Sequence, residues 1–259
     1  FSPCLVYTLL TDIAFQSDEV VRIVAAAVAN VLVSGALAWL AGRALHLGRV
    51  LTTALMLVAM FTNSGNYGLS LNALAFGEEA LARAALFFVT NSVLAYTVGI
   101  YLASSGRLTA REALKSLLKI PPIYAALLAL VTAVTGIGLP QPVMTSVRIL
   151  GNASIPVMLL ILGIQMAGAR RLVEVRLVGL ASGIRLLLGP VVGLTMVTLL
   201  QLSGPARQAT VVEASMPTAV MVTVLATEFD IEPAFVTSSV VLSTLLSPIT
   251  LTLLIAFLS

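Results

Sequence analysis

The length of the apolar runs constrains this chain more than any other feature. Mostly aliphatic stretches recur at roughly 20–42, 50–76, 80–103, 121–139, 152–168, 173–202, 206–227 and 234–258, after a shorter one at 1–11. A helix crossing the hydrocarbon core of a bilayer needs about 20 apolar residues, and these eight are of that order or a little short. In lipid, only helices and closed barrels satisfy every backbone donor and acceptor, and runs of this length suit helices. The predicted fold class is therefore an all-α polytopic membrane protein. With 59% hydrophobic and only 10% charged residues, against about a quarter charged in soluble domains, no segment reads as a soluble domain. A net charge of +3 dispersed through short loops argues against a nucleic-acid partner and leaves the lipid bilayer as the expected surroundings. One cysteine and one histidine exclude internal disulfides, paired-cysteine metal sites and a structural zinc.

Charges in the connections orient the chain. Nine basic residues fall in the loops around 43–49, 104–120 and 169–176: Arg43, Arg49, Arg107, Arg111, Lys115, Lys119, Arg170, Arg171 and Arg176. The alternate loops hold Arg22, Arg83, Arg148 and Arg207. Basic residues favour the cytoplasmic side, which places the richer loops inside the cell membrane and Ser259 outside. The longest connection, 104–120, becomes a cytoplasmic linker between residues 1–103 and 121–259. Phe1 opens straight into apolar residues with no Met and no basic leader, so the chain is expected to begin inside a helix rather than with a signal peptide.

The two halves echo each other. FSPCLVYTLL around Pro3 matches SIPVMLLILG around Pro156. Each is followed by a long apolar run, a run broken near its centre (TNSGNYGLS at 62–70, EASMPTAVM at 213–221), and a hydroxyl-rich run (LFFVTNSVLAYTVGIYL, FVTSSVVLSTLLSPITL). An odd number of helices between the units sets them inverted in the membrane, the arrangement in which secondary transporters place substrate at the repeat interface.

Polar groups at membrane depth need partners and point to function. The first break offers Gly65 and Gly68 for backbone freedom. Asn63, Ser64 and Asn66 offer neutral donors and acceptors for a carboxylate ligand or Na⁺, and half-helix N-termini favour an anion. Close helix crossing would explain its glycines and serines but not its three asparagines. In the second break, Pro217 removes a backbone hydrogen bond, freeing carbonyls near Val212 and Glu213 to hold a cation beside the Glu213 carboxylate; a plain packing kink explains the same Pro. Arg185, just before Gly189-Pro190, is a candidate partner for Glu213 or for an anionic substrate, with snorkelling to the interface as the structural alternative. Thr90, Asn91 and Ser92, with Thr237, Ser238, Ser239 and Ser243 in the matching run, are candidates to line ion sites. The sequence carries no HExxH, no phosphate-binding glycine loop, no GxSxG and no intramembrane aspartate pair, so no catalytic residue is assigned.

With these residues placed, the sequence resembles the auxin efflux carrier family, bacterial carriers related to plant PIN-type exporters, and more distantly bile acid–sodium symporters. The resemblance rests on FSPCLVYTLL, FTNSGNYGLSL with FGEEALARAALFFVTNSVL, LGNASIPVMLLILGIQMA, RLLLGPVVG and EASMPTAVMVTVLATEFDIEPAFVTSSVVLSTLLSPITL, in the family's order across the whole chain. It implies two inverted five-helix repeats whose broken helices, 50–76 and 206–227, cross at the substrate site, with the first helix and half of the second lying ahead of Phe1. It implies a transport core from 50–103 and 206–258, with parts of 1–11 and 152–202, that moves small organic anions in an elevator-like way. The substrate residues it suggests are Asn63, Ser64, Asn66, Pro217 and Thr218, with Arg185 balancing charge. Glu213, Asn91 and Thr90 fall to coupling, with Na⁺ as the possible ion, or H⁺, and no other cofactor. Ser70 departs from the family's usual Pro. The protein is then expected to be a secondary transporter of a mono- or dicarboxylate, with a homodimer as the expected assembly. A bile acid-like symporter or indole-acid exporter of the same fold remains open, as does a non-transporting receptor or scaffold.

Overall fold

The computed structural model describes residues 1–13, 16–104, 120–167 and 173–259. Among them the regular structure is helical: α1 (Ser2–Asp12), α2 (Ser17–Ala44), α3 (Arg49–Met60), α4 (Ser70–Leu94), α5 (Ile100–Ala103), α6 (Pro121–Thr135), α7 (Gln141–Asn152), α8 (Ser154–Ala167), α9 (Val175–Leu199), α10 (Gly204–Ser215), α11 (Met221–Glu228) and α12 (Pro233–Leu258). Five helical stretches are long and apolar enough to cross a membrane: 17–44, 64–103, 141–165, 175–199 and 233–258. The all-α membrane fold expected from the apolar runs is the fold observed. Large aliphatic residues such as Leu74, Val134, Ile137 and Leu253 are exposed on the outer surface, where hydrocarbon rather than water would meet them.

Two spans are interrupted where the sequence is interrupted. The run at 50–76 splits into α3 and a second half that begins with a π-helical turn, Ser64–Leu69, and continues into α4. It ends at Gly77, whose φ of 79° turns the chain back; that left-handed conformation suits glycine and almost no other residue. The run at 206–227 splits into α10 and α11. By contrast, α9 continues through Pro190 and α12 through Pro248.

Residues 140–152, read from the sequence as a connection carrying Arg148, form helix α7 instead, running almost directly into α8. Pro140 and Pro142 look like loop residues, but proline is well tolerated in a helix's first turn because that turn lacks N–H partners anyway. The preceding run stops at Thr135, capped by left-handed Gly136, rather than at 139. Most of the 104–120 linker, with Arg107, Arg111, Lys115 and Lys119, and Arg170 and Arg171 lie outside the described residues.

The turns sort to two ends. Gln16, Asp18, Arg22, Arg83 and residues 201–206 line one cleft, while Arg43, Arg49, Tyr101 and Leu102 line another. Helix α2 joins these ends with 28 residues, about 42 Å at 1.5 Å per residue.

Candidate functional site

Helices α3 and α10 both stop deep inside the fold, where the carbonyls of their last turns have no intrahelical donor. Each such group is costly to bury unpaired, and the two breaks supply partners to one another. The Asn63 N–H donates to the Pro217 carbonyl at 2.8 Å, and the Ala219 N–H donates to that of Phe61 at 2.9 Å. The chains therefore run antiparallel for one rung, centred on Thr62 and Thr218. The Thr218 hydroxyl donates to the Val58 carbonyl at 3.0 Å, its N–H donates to Ser243 Oγ at 3.3 Å, and Asn91 Nδ2 donates to the Thr62 carbonyl at 3.2 Å.

Arg185 completes the set. Its Nε donates to Met216 O at 3.0 Å, Nη1 to Ala59 O at 2.7 Å, and Nη2 to Ala214 O. One guanidinium, 1% exposed, thus holds the ends of both half-helices. It gets there because α9 lies very close to α10. A Cβ at Gly189 would collide with the Ala214 carbonyl, and one at Gly193 would press on Val211 Cα at 3.2 Å, the close contact that glycines four apart permit.

Beyond Asn63, the π-helical turn shifts the helical phase and divides the polar residues between two faces. On one, Thr62, Asn63, Gly65 and Asn66 line a cavity of about 380 Å³. Phe88, Asn91, Ser92, Tyr96, Gln165 and the start of α6 close it, along with residues 219–221 and 224. On the other face, Ser64, Gly68 and Asn72 back onto Glu213 of α10. Asn72 Nδ2 donates to Glu213 Oε1 at 3.0 Å and to the Gly68 carbonyl at 2.9 Å, and the Ser64 hydroxyl also reaches the carboxylate. A Cβ at Gly68 would collide with both Glu213 oxygens, so glycine lets the carboxylate lie flat against the helix.

The two faces differ in electrostatics. Among the described residues, the cavity lining carries no charged side chain. Buried Asn63 Nδ2 and Asn91 Oδ1 have no hydrogen-bond partner there, nor has Gln165 Oε1. The helical stretches starting at Ser64 and Met221 both open near it, and their positive dipole ends favour an anion; the stretch starting at Pro121 adds no donor, because Pro121 and Pro122 have no N–H and Ile123 donates to the Ile120 carbonyl. Behind the wall, Glu213 is fully buried, and among the described residues no cation pairs with it. Its Oε2 and Asn72 Oδ1 lack partners. An ionised carboxylate in such a place is costly without a positive partner, and an all-oxygen set suits a proton or a hard cation.

The structure brings the sequence candidates together but redistributes them. Asn63 and Asn66 line the cavity. Ser64 does not: it is 1% exposed and faces Thr62 and Glu213. Pro217 and Thr218 form the rung between the breaks rather than a cavity wall. Arg185 neither pairs with Glu213 nor reaches the cavity, because backbone carbonyls occupy its donors. The cation expected on carbonyls freed near Pro217 has a resident counterpart in that guanidinium, on Ala214 and Met216. Asn91 lies on the cavity side, away from Glu213's bonded partners, and Thr90 donates to the Leu86 carbonyl of its own helix at 2.9 Å. Asn72, Tyr96 and Gln165 were not singled out from the sequence. The spacing of Ser64, Gly68 and Asn72, four apart, is the signal that would have found Asn72.

Comparison with known proteins follows the same lines. The family profile described as "Membrane transport protein" matches residues 1–255. The chain is 32% identical over 255 residues to an "uncharacterized transporter" of Methanothermobacter thermautotrophicus, covering 97% of this chain and 83% of that protein. It is 28% identical over 197 residues to another of Methanocaldococcus jannaschii, covering 74% of this chain and 64% of the relative.

Proposed function

We infer that this chain, which belongs to the membrane transport protein family, the auxin efflux carriers, moves a small organic anion by secondary transport coupled to Na⁺ or H⁺. The observation that carries this reading is the two-faced wall at residues 62–72. Neutral amide side chains and helix N-termini line a ligand-sized cavity on one side, and a buried carboxylate with no cationic partner among the described residues lies on the other. Asn63, Asn66 and Asn91 bind the anion, with Ser92, Tyr96 and Gln165 fixing its orientation. Glu213, Asn72 and Ser64 hold the coupling ion or proton. With no guanidinium or ammonium among the described lining residues, the cavity suits a monocarboxylate better than a dicarboxylate. The inverted-repeat relation of 1–103 to 121–259 and an elevator-like movement of the crossed breaks belong to the same proposal.

Flux into liposomes tests it, using purified protein, a panel of labelled mono- and dicarboxylates, and Na⁺ and H⁺ gradients imposed separately. Uptake of a monocarboxylate driven by one gradient is expected. Asn63→Ala should weaken apparent affinity by about tenfold, the loss of one or two hydrogen bonds, and Glu213→Gln should abolish the gradient's effect. Flux indifferent to both gradients, or a Glu213→Gln variant behaving as wild type, sinks the coupling assignment. Ligand binding without net flux would favour a receptor.

A further inference from the structure

A second cleft, whose lining shares no residue with the cavity at the crossed breaks, lies at the opposite end of α2 from Gln16, with a volume of about 600 Å³. Its walls are Trp39 and Arg43 from the end of α2, Arg49, Thr52, Thr53 and Met56 from α3, Leu47 between them, and Tyr101 and Leu102 from α5. Arg43 and Arg49 are exposed, and among the described residues neither comes within ion-pair distance of a carboxylate. At the other end of the molecule three arginines are paired, Arg22 with Asp18 at 2.6 Å, Arg83 with Glu19 at 2.8 Å and Arg148 with Asp12 at 3.0 Å, while Arg207 stacks over the Phe257 ring, 5.7 Å from its centroid. Arg43 stacks over the Trp39 ring, 5.8 Å from its centroid, which holds the guanidinium plane beside the cleft. Arg49 sits in the first turn of α3, the helix end that disfavours a cation, so stabilising the helix does not account for it. Both threonine hydroxyls donate to nearby backbone carbonyls, which leaves the two arginines as the charged recognition groups. Trp39 and Tyr101 are 47% and 48% exposed, as aromatics are where headgroups begin, and Leu47, Met56 and Leu102 supply an apolar flank.

We propose that this cleft is a binding site for the phosphate headgroup of an anionic phospholipid, clamped between Arg43 and Arg49. A guanidinium presents a planar fork that matches two phosphate oxygens, and basic pockets between membrane helices are suited to such headgroups. Trp39 and Tyr101 flank the glycerol region, and the acyl chains run down the exposed apolar face of α2 that carries Leu32, Leu37 and Leu40.

Native mass spectrometry of the full chain, released from nanodiscs holding equal phosphatidylglycerol and phosphatidylcholine, tests the assignment. The wild type is expected to retain phosphatidylglycerol preferentially, and Arg43→Gln/Arg49→Gln to lose at least tenfold of that preference. Arg176→Gln, which removes an exposed charge outside the cleft, should keep it. The double Lys variant, which keeps charge without the fork, should fall between. All the substituted side chains are exposed, and size-exclusion profiles confirm folding. Unchanged retention in the double Gln variant overturns the proposal. So does an equal loss in Arg176→Gln, which would mean a diffuse charge effect. Equal thermal protection by inorganic phosphate in a phosphatidylcholine background would assign the cleft to a free anion and overturn the lipid.

Discussion

Single side chains decide whether a membrane span can be cut in two. Arg185 brings donors to three carbonyls on two different half-helices, a job that no neutral side chain of its size can do. Arg185→Met leaves those carbonyls unpartnered at about 1–3 kcal/mol each. Its melting transition in detergent is expected to collapse or vanish. Arg185→Lys keeps the charge but replaces a fork by a single ammonium, so a partial loss is expected. Gly68 makes the opposite kind of test. A methyl there has nowhere to go except into the Glu213 carboxylate. Gly68→Ala should lower stability by about 1–3 kcal/mol through overpacking and uncouple flux from its driving gradient. Asn63 stays in place on the other face, so ligand binding in the same variant should survive. Loss of binding and coupling together would show that the two faces are not separable.

At the scale of elements, the rung between the breaks makes them one unit. Thr62 and Thr218 sit opposite each other between two flanking hydrogen bonds, a non-hydrogen-bonded pair with Cα atoms about 4.5 Å apart, within the range of a disulfide. In a Cys4→Ala background, Thr62→Cys/Thr218→Cys is expected to crosslink on oxidation. If both breaks travel together during transport, the crosslinked protein should still carry substrate; flux restored only by reductant would mean that they separate. Both breaks were legible in the sequence because polar side chains cluster there with glycine or proline, whereas Pro190 and Pro248, set among aliphatic and hydroxyl residues, leave their helices unbroken. The assignment of their residues to faces was not legible. Asn63, with φ −75° and ψ 56°, lies outside the helical turn that begins at Ser64, so adjacency in sequence does not tell which of the two faces the cavity. Arg185's role depends on bonds to residues 29, 31 and 126 positions away, which no local pattern encodes. Helix α7 was missed for a local reason, since prolines near its start resemble those of a loop.

Across the whole molecule, charge is distributed by pairing as well as by number. At one end Arg22, Arg83 and Arg148 pair with acidic neighbours and Arg207 stacks on Phe257, while among the described residues Arg43 and Arg49 have no acidic partner. Basic residues resist translocation by their number, with acidic neighbours counting little, so the proposed orientation rests on the loop counts alone. In a Cys4→Ala chain expressed in cells, Ser259→Cys is expected to react with a membrane-impermeant maleimide and Arg176→Cys only after lysis; the reverse pattern would invert the topology. The wall at 62–72 has a consequence for the energetics of the whole cycle. Its two faces belong to the same few residues, joined by the hydrogen bond between the Thr62 and Ser64 hydroxyls, so under the proposed function occupation of one face is expected to alter the free energy of filling the other. Thermodynamic reciprocity then fixes a number in advance of any flux measurement. The factor by which the coupling ion tightens the anion must equal the factor by which the anion tightens the ion, and two equilibrium titrations on immobile, detergent-solubilised protein suffice to compare them.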